Sequence, residues 1–500
     1  MRREEYRATL ILMAGLLAAT FTGFLREAAL AYELGASHAT DLYLIAFTLP
    51  EFVFTALPII LLPAFIPLFT DLQLRVGEAG AWRFARQVAG ALLILLLGVT
   101  SLAAAAAPLY LRWLAPGFDP LQRSQALRAL IVMLPALSMM GGATLAGAIL
   151  QVYRRFARPA LATAIYNVTF VVVLLGAPLA WSVGRAAWGV TAGAAAAFLL
   201  QFSLVWRFRP KPPAQNAERE TVRLPVGVSD LARLAGPLAA GYAVHHAILF
   251  VDRAMATMLA AGAVATLNYA YRLALVVGQV GGLAISTALF PRMAEQAASR
   301  DYAGLRSSVA AALRFVWLVG LPACSLLIVL RVPLVQVLFE RGAFDRSATL
   351  AVSAVLVWYA IAVLADALCQ PMWRVLYARR SAWTVLAVNS LQTGIRVLAN
   401  VALIDPLGYR GLALSAALGL TVQALVLGQV VRRQLGPFLT AEWWRQMFKV
   451  VVATALAVLV TGLMVSHFRA WPALYVLLAS AALGSLIYLG ILRLQEKSLW

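Results

Sequence analysis

Eight ionisable side chains sit inside otherwise apolar stretches of this sequence: Arg26 and Glu27, Asp41, Asp252 and Arg253, Arg272, Asp366 and Arg396. Placing one such charge near the centre of a bilayer costs at least roughly 2.5–3.5 kcal/mol on insertion scales, so each needs a partner or a function. Arg26 with Glu27, and Asp252 with Arg253, could form internal ion pairs that stabilise packing. Arg272 has no acid nearby in its own apolar stretch, and Arg26 occupies the corresponding part of the other half of the chain. Two guanidinium groups could therefore face one cavity. Each offers a planar fork of N–H donors that suits phosphate oxygens.

Other chemistries find little support. The three lysines follow Pro210, Phe448 and Glu496, so no Gly-Lys pair is present to hold nucleotide phosphates. Energy would then come from an ion gradient, the membrane potential or the substrate gradient. His245 and His246 are adjacent, about 100° apart on a helix, and no third metal ligand is evident. Cys324 and Cys369 lie in apolar stretches and imply no disulfide framework. A polymerase or ligase acting on lipid-linked sugars usually needs a large outer loop carrying paired acids or a His base. The outer connections here are short, so a transporter is expected and not an enzyme.

The elements that must position these charges are membrane helices. Of the 500 residues, 62% are hydrophobic and 12% charged, and mean hydropathy is +0.84. Apolar stretches recur from Leu10 to Leu492. A crossing of roughly 30 Å takes about twenty residues, which gives about fourteen spans and an all-α polytopic membrane protein. The net charge of +20 is scattered between apolar segments, whereas a nucleic-acid surface gathers its basic residues on one soluble face. Topology explains it better. With a cytoplasmic N-terminus, the inner loops hold twenty-five basic residues, from Arg2, Arg3 and Arg7 to Arg493 and Lys497, and the outer connections hold nine. The positive-inside rule then places both termini in the cytoplasm.

The longest polar break, around Phe208 to Ser229, has the Pro, Gly and charge content of a linker. It suggests a first lobe of six helices at 1–207, a cytoplasmic linker at 208–228, a second six-helix lobe at 229–433, and two extra helices at 434–500. Three echoes link the lobes: Ala39-Thr40-Asp41-Leu42-Tyr43 with Ala265-Thr266-Leu267-Asn268-Tyr269, the stretch 113–119 with 338–345, and Tyr153 to Asn167 with Tyr377 to Asn389. Six spans per lobe make this a parallel repeat about an axis along the membrane normal. Pro50, Pro58, Pro63 and Pro67 crowd the second span and predict a bent helix covered by protein.

With these residues in view, the sequence resembles the MurJ (MviN) family of lipid II flippases, in the multidrug, oligosaccharidyl-lipid and polysaccharide exporter superfamily. Gly23-Phe24-Leu25-Arg26-Glu27 followed by Ala39-Thr40-Asp41 looks like the family's opening signature. Gly147-Ala148-Ile149-Leu150-Gln151, Tyr269-Ala270-Tyr271-Arg272-Leu273 and Leu338-Phe339-Glu340-Arg341-Gly342-Ala343-Phe344-Asp345 are similar to later family segments. The resemblance implies fourteen helices in two lobes, alternating access, and a groove on the last two helices for a polyprenyl tail. It also implies a bacterial cytoplasmic (inner) membrane location and a monomer among membrane lipids. Its implied substrate-binding residues are Arg26, Arg272, Asp41 and Glu27. Asp252, Asn389 and Thr393 match an ion site of the family, which implies sodium or proton coupling and no other cofactor or metal. Thr20, Phe54 and Leu275 stand where the family usually carries charged residues.

The expected function is therefore transfer of a polyprenyl-pyrophosphate-linked cell-wall precursor, lipid II, from the inner to the outer leaflet for peptidoglycan synthesis. The three departures keep a flippase for exopolysaccharide or O-antigen units as the alternative, ahead of a drug or cation exporter and of a membrane polysaccharide polymerase.

Overall fold

The computed structural model describes residues 2–155, 157–208, 226–278, 284–379, 381–468 and 471–494. These residues form seventeen helices and no strand, so the all-α reading holds. They divide into two compact units, Met1–Gly262 and Ala263–Trp500. Most of the expected linker lies outside the described residues, as do Arg380, Arg469 and Lys497.

The first unit contains α1 (Arg2–Leu34), α2 (His38–Arg75), α3 (Glu78–Leu114), α4 (Pro120–Met133), α5 (Ala136–Val152), α6 (Ala157–Gly176), α7 (Ser182–Trp206) and α8 (Val228–Thr257). The second contains α9 (Ala263–Gly278), α10 (Ala284–Ala298), α11 (Tyr302–Val329), α12 (Arg331–Phe339), α13 (Arg346–Ala378), α14 (Ala382–Leu407), α15 (Tyr409–Leu435), α16 (Ala441–His467) and α17 (Ala473–Leu494). With α4 and α5 counted as one crossing, 11 helical segments among the described residues are long and apolar enough to span a membrane. The other three of the fourteen expected crossings fall on α1, α14 and the stretch of α9 with α10. Helices are required here because a lone segment in lipid must satisfy its backbone polar groups internally.

One echo between the halves is a shared helix start. Asp119 accepts from the Gln122 N–H at 2.8 Å, and its own N–H donates back to the Gln122 side chain at 2.8 Å. This capping box satisfies two of the free donors that open α4. Asp345 does the same work for α13, accepting from the Ala348 N–H and the Ser347 hydroxyl, both at 2.8 Å. Those donors hold the Asp345 carboxyl below its ordinary value. In both loops the residue before the aspartate, Phe118 or Phe344, is buried, which fixes the chain entering the helix.

α2 runs unbroken through its four prolines. It packs against α3, α4, α5 and α8, but of its four prolines only Pro50 is buried, while Pro58, Pro63 and Pro67 are exposed, so the expected protein cover is incomplete. Its Phe65 and Phe69 are fully buried with Phe84 of α3 and Leu145 of α5. In the second unit the core joins α11, α13, α15, α16 and α17 through Leu305, Trp373, Val431, Trp443 and Tyr488. Two polar contacts fix the last helices on α11: the Trp443 indole donates to the Ala310 carbonyl at 3.1 Å, and the Tyr488 hydroxyl to the Leu318 carbonyl at 2.6 Å. The sequence suggests that α8 opens the second lobe; in the structure it packs on α2 and α3 within the first unit.

Candidate functional site

The environment of Arg26 begins with the packing of α1 on α6. Gly23 brings α1 against Asn167, whose amide donates to the Thr22 hydroxyl at 3.3 Å. Small residues let membrane helices approach closely and let such polar contacts form. One turn further along, Arg26 donates to the Glu27 carboxylate at 2.7 Å, with the two side chains 16% and 9% exposed. Its guanidinium also lies 5.9 Å from the Tyr166 ring centroid and 5.8 Å from that of Phe170, both on α6. Aromatic faces attract a cation, more strongly where water is excluded. Phe54 of α2 meets Tyr166 edge-on at 6.4 Å and Phe47 at 6.1 Å. A position where the family usually carries charge thus extends the aromatic wall beside Arg26.

Asp41 is buried near the start of α2 and accepts from the Gly262 N–H at 2.7 Å. Gly262 has φ +87°, and a Cβ there would collide with the Ala36 carbonyl. Only glycine adopts that backbone at no steric cost. In this structure the Asp41 carboxylate ties the start of α2 to the connection that follows α8.

A second arginine, this one buried, lies on α8. Arg253 donates to the Thr48 hydroxyl at 2.7 Å, to the Leu44 carbonyl at 3.1 Å and to the Glu51 carboxylate at 2.6 Å, with its side chain 8% exposed and that of Glu51 15%. The hydroxyls of Tyr242 and Thr55 pair further along the same seam, and the Gly117 N–H donates to the Thr257 hydroxyl at 3.4 Å. Adjacent Asp252 and Arg253 suggest a pair in the sequence; the structure joins Arg253 to Glu51 instead. Glu51 was missed, although an acid following Pro50 inside an apolar span carried the same signal as the eight residues singled out. Glu33, which pairs with Arg185, was missed as well.

In the second unit Arg272 is half-buried on α9. The neighbouring Tyr271 ring meets Tyr359 at 5.4 Å, and Tyr269 packs on Phe339 and Phe344. Asn389 accepts from the Gln423 amide at 3.0 Å. Thr393, one turn further along α14, donates to Gln392 at 3.5 Å. Asp252 is half-buried and belongs to the first unit, whereas Asn389 and Thr393 belong to the second. Asp366 accepts from the Gln370 amide at 3.3 Å. Thr20 is exposed on α1, and Leu275 is half-buried on α9. Within the first unit the structure therefore brings Arg26 and Glu27 together.

Comparison with known proteins agrees with these observations. The family described as Lipid II flippase MurJ matches residues 30–481. A probable lipid II flippase MurJ of Rhizobium meliloti (strain 1021) is 28% identical over 420 residues, covering 81% of this chain and 76% of that protein. The lipid II flippase MurJ of Burkholderia cenocepacia is 26% identical over 474 residues, covering 92% and 89%. Among solved structures, a lipid II flippase MurJ in an inward closed conformation superposes with a TM-score of 0.79 at 18% identity, covering 98% of this chain and 99% of that one. An inward-facing multidrug resistance MATE family transporter of the MOP superfamily gives 0.66 at 14% identity, covering 86% and 98%. At those identities the two structures speak for the fold. The match over residues 30–481 decides the family: this chain belongs to the MurJ family of lipid II flippases.

Proposed function

We propose that this chain moves lipid II from the inner to the outer leaflet of the bacterial cytoplasmic membrane, supplying peptidoglycan synthesis by alternating access. The observation that carries the reading is Arg26, a guanidinium kept in the membrane by a carboxylate of its own helix and two aromatic faces, in a chain of this family. A charged, sugar-bearing head group does not cross hydrocarbon unaided, because each polar group stripped of water costs several kcal/mol. Arg26 exchanges Glu27 for the pyrophosphate, and Arg272 supplies a second fork of donors. Asp41 and Glu27 take over the released backbone and side-chain donors as the head group passes.

The polyprenyl tail stays in lipid along α16 and α17. Both termini are cytoplasmic, and the chain works as a monomer without nucleic acid. An inside-negative potential contributes roughly 2.3 kcal/mol per charge per 100 mV toward expelling an anion, and sodium or proton binding at Asp252, Asn389 and Thr393 resets the cycle. The ring of Phe54 beside Tyr166 favours, as a second reading, another polyprenyl-linked saccharide that makes fewer charged contacts.

The test is surface exposure of lipid II in bacteria depleted of their own flippase. Restored exposure that Arg26→Ala and Arg272→Ala both abolish is the expected result. No rescue by a well-expressed chain would move the assignment to another lipid-linked saccharide, and rescue indifferent to both arginines would remove the proposed site.

A further inference from the structure

A cleft of about 540 Å³ opens between α3, α5 and α7 of the first unit, built from residues that do not contact Arg26. Its walls are apolar: Leu92, Leu93 and Leu96 of α3 face Gly142 of α5 and Phe198 and Phe202 of α7. Along α3 the lining runs from Ala79 to Leu96, about 26 Å at 1.5 Å per residue. That length exceeds one leaflet of hydrocarbon, roughly half of a 30 Å core.

The two ends of the cleft differ. The Leu96 end is apolar apart from the Ser138 hydroxyl. The other end carries Arg86, exposed, together with Trp82 and Trp206 on the same lining. Behind that wall the Trp82 indole donates to the Tyr153 hydroxyl at 3.0 Å. Tyr153 stacks on Phe208 at 5.1 Å, and the Arg158 guanidinium lies 5.3 Å from the Phe208 ring. Arg155 and Arg207 are close enough to Arg158 for their charges to be felt, and one Arg158 guanidinium nitrogen is buried without a hydrogen-bond partner. An acid of the same region, Glu78, accepts from the Gln73 amide at 3.3 Å and the Tyr153 hydroxyl at 3.5 Å. Among the described residues, no acid lines the cleft. Aromatic rings and arginines at one end of an apolar slot match the level of lipid head groups.

We infer that this cleft binds an anionic phospholipid of the membrane, with one acyl chain along Leu92, Leu96 and Phe202 and its phosphate at Arg86. The occupant is a phospholipid rather than a neutral lipid because positive charge gathers at one end, where a zwitterionic head group gains little. It is a resident lipid and not cargo: the site stands whether or not the chain flips lipid II.

The experiment is native mass spectrometry of the full chain in detergent, titrated with palmitoyl-oleoyl phosphatidylglycerol, the matching phosphatidylcholine, and a polyprenyl phosphate. Phosphatidylglycerol is expected to bind about tenfold more tightly than phosphatidylcholine. Arg86→Gln brings it down to the phosphatidylcholine level, Ala89→Trp blocks the slot for both phospholipids, and Arg128→Gln, a basic residue off the lining, changes nothing. Ala89 and Arg86 are exposed, so both variants should melt within a few degrees of the parent, which separates lost binding from lost folding. Equal retention of the two phospholipids, phosphatidylglycerol binding indifferent to both substitutions, or preference for the polyprenyl phosphate would each overturn the assignment.

Discussion

Arg26, half-buried, and Arg253, buried, both belong to apolar helices of the first unit, yet they are held in opposite ways. Arg253 on α8 reaches three oxygens of α2, those of Thr48, Leu44 and Glu51. Arg26 on α1 bonds to Glu27, its neighbour in sequence, and rests against two rings of α6. An arginine satisfied across helices is a staple, since moving either helix strips several bonds at once. An arginine satisfied by its own helix and by π faces can trade its one carboxylate for an incoming phosphate while the helices stay packed. Charge does not distinguish the two residues and burial does so only by degree; the origin of their partners separates them.

The largest expected effect follows from that contrast. Arg26→Ala combined with Glu27→Gln, so that no buried carboxylate is left without its counter-charge, should lower lipid II exposure in the depletion assay by over 100-fold, from loss of about 3 kcal/mol of charge-assisted binding, while leaving the melting temperature of the purified chain within a few degrees. A large drop in melting temperature would instead make Arg26 a staple and collapse the comparison. Arg253→Ala should behave in the reverse sense, destabilising the fold by about 3–5 kcal/mol because Glu51 is left buried without its counter-charge. The pair Arg253→Met with Glu51→Leu should recover most of that loss, and a double substitution no better than the single one would show that the pair does not act as a unit.

Gly262→Ala tests the other end of α2. With φ at +87° and the Ala36 carbonyl in the way, about 1–3 kcal/mol of strain is expected, read as a lower unfolding midpoint. The smallest effect belongs to the cap at Asp345. Asp345→Ala should cost about 1 kcal/mol at neutral pH. The folded carboxyl titrates below its unfolded value of about 3.9, so the cap's contribution is complete above that pH and is lost as pH falls through the lower, folded value. The gap between parent and variant should therefore close at strongly acid pH, and a gap that persists there would assign the cost to something other than the carboxylate.

The fold was legible because hydrocarbon enforces it. Twenty-residue apolar runs separated by arginines have one stable form in lipid, and the two aspartates of the echoed loops announce the starts of α4 and α13. The site was legible only in part. Arg26 with Glu27 is a contact between neighbours, which sequence displays. Arg253 with Glu51 joins residues 202 apart, a distance along the chain that sequence does not display, and the adjacent Asp252 offered a nearer partner to the eye. The aromatic faces around Arg26 come from α6, with Phe54 of α2 beside them, and no periodicity along α1 hints at them. Likewise, the packing of α8 on the first unit depends on hydroxyls and a proline-flanked acid that composition counts as ordinary features of an apolar span.

The seam between α2 and α8 also sets a timetable for synthesis. Thr48 and Arg253 are 205 residues apart, so at translation rates of about 5–20 residues per second the partner of α2 emerges roughly 10–40 s after α2 itself. During that interval Glu51 is already in a nascent membrane helix without its cation, and five further helices and the linker stretch must leave the ribosome first. Insertion of this chain thus includes a stage in which α2 waits half-finished, dependent on water or on the insertion machinery to shelter one carboxylate. Ribosome pausing between α3 and α8 would lengthen that wait and expose the intermediate to membrane proteases.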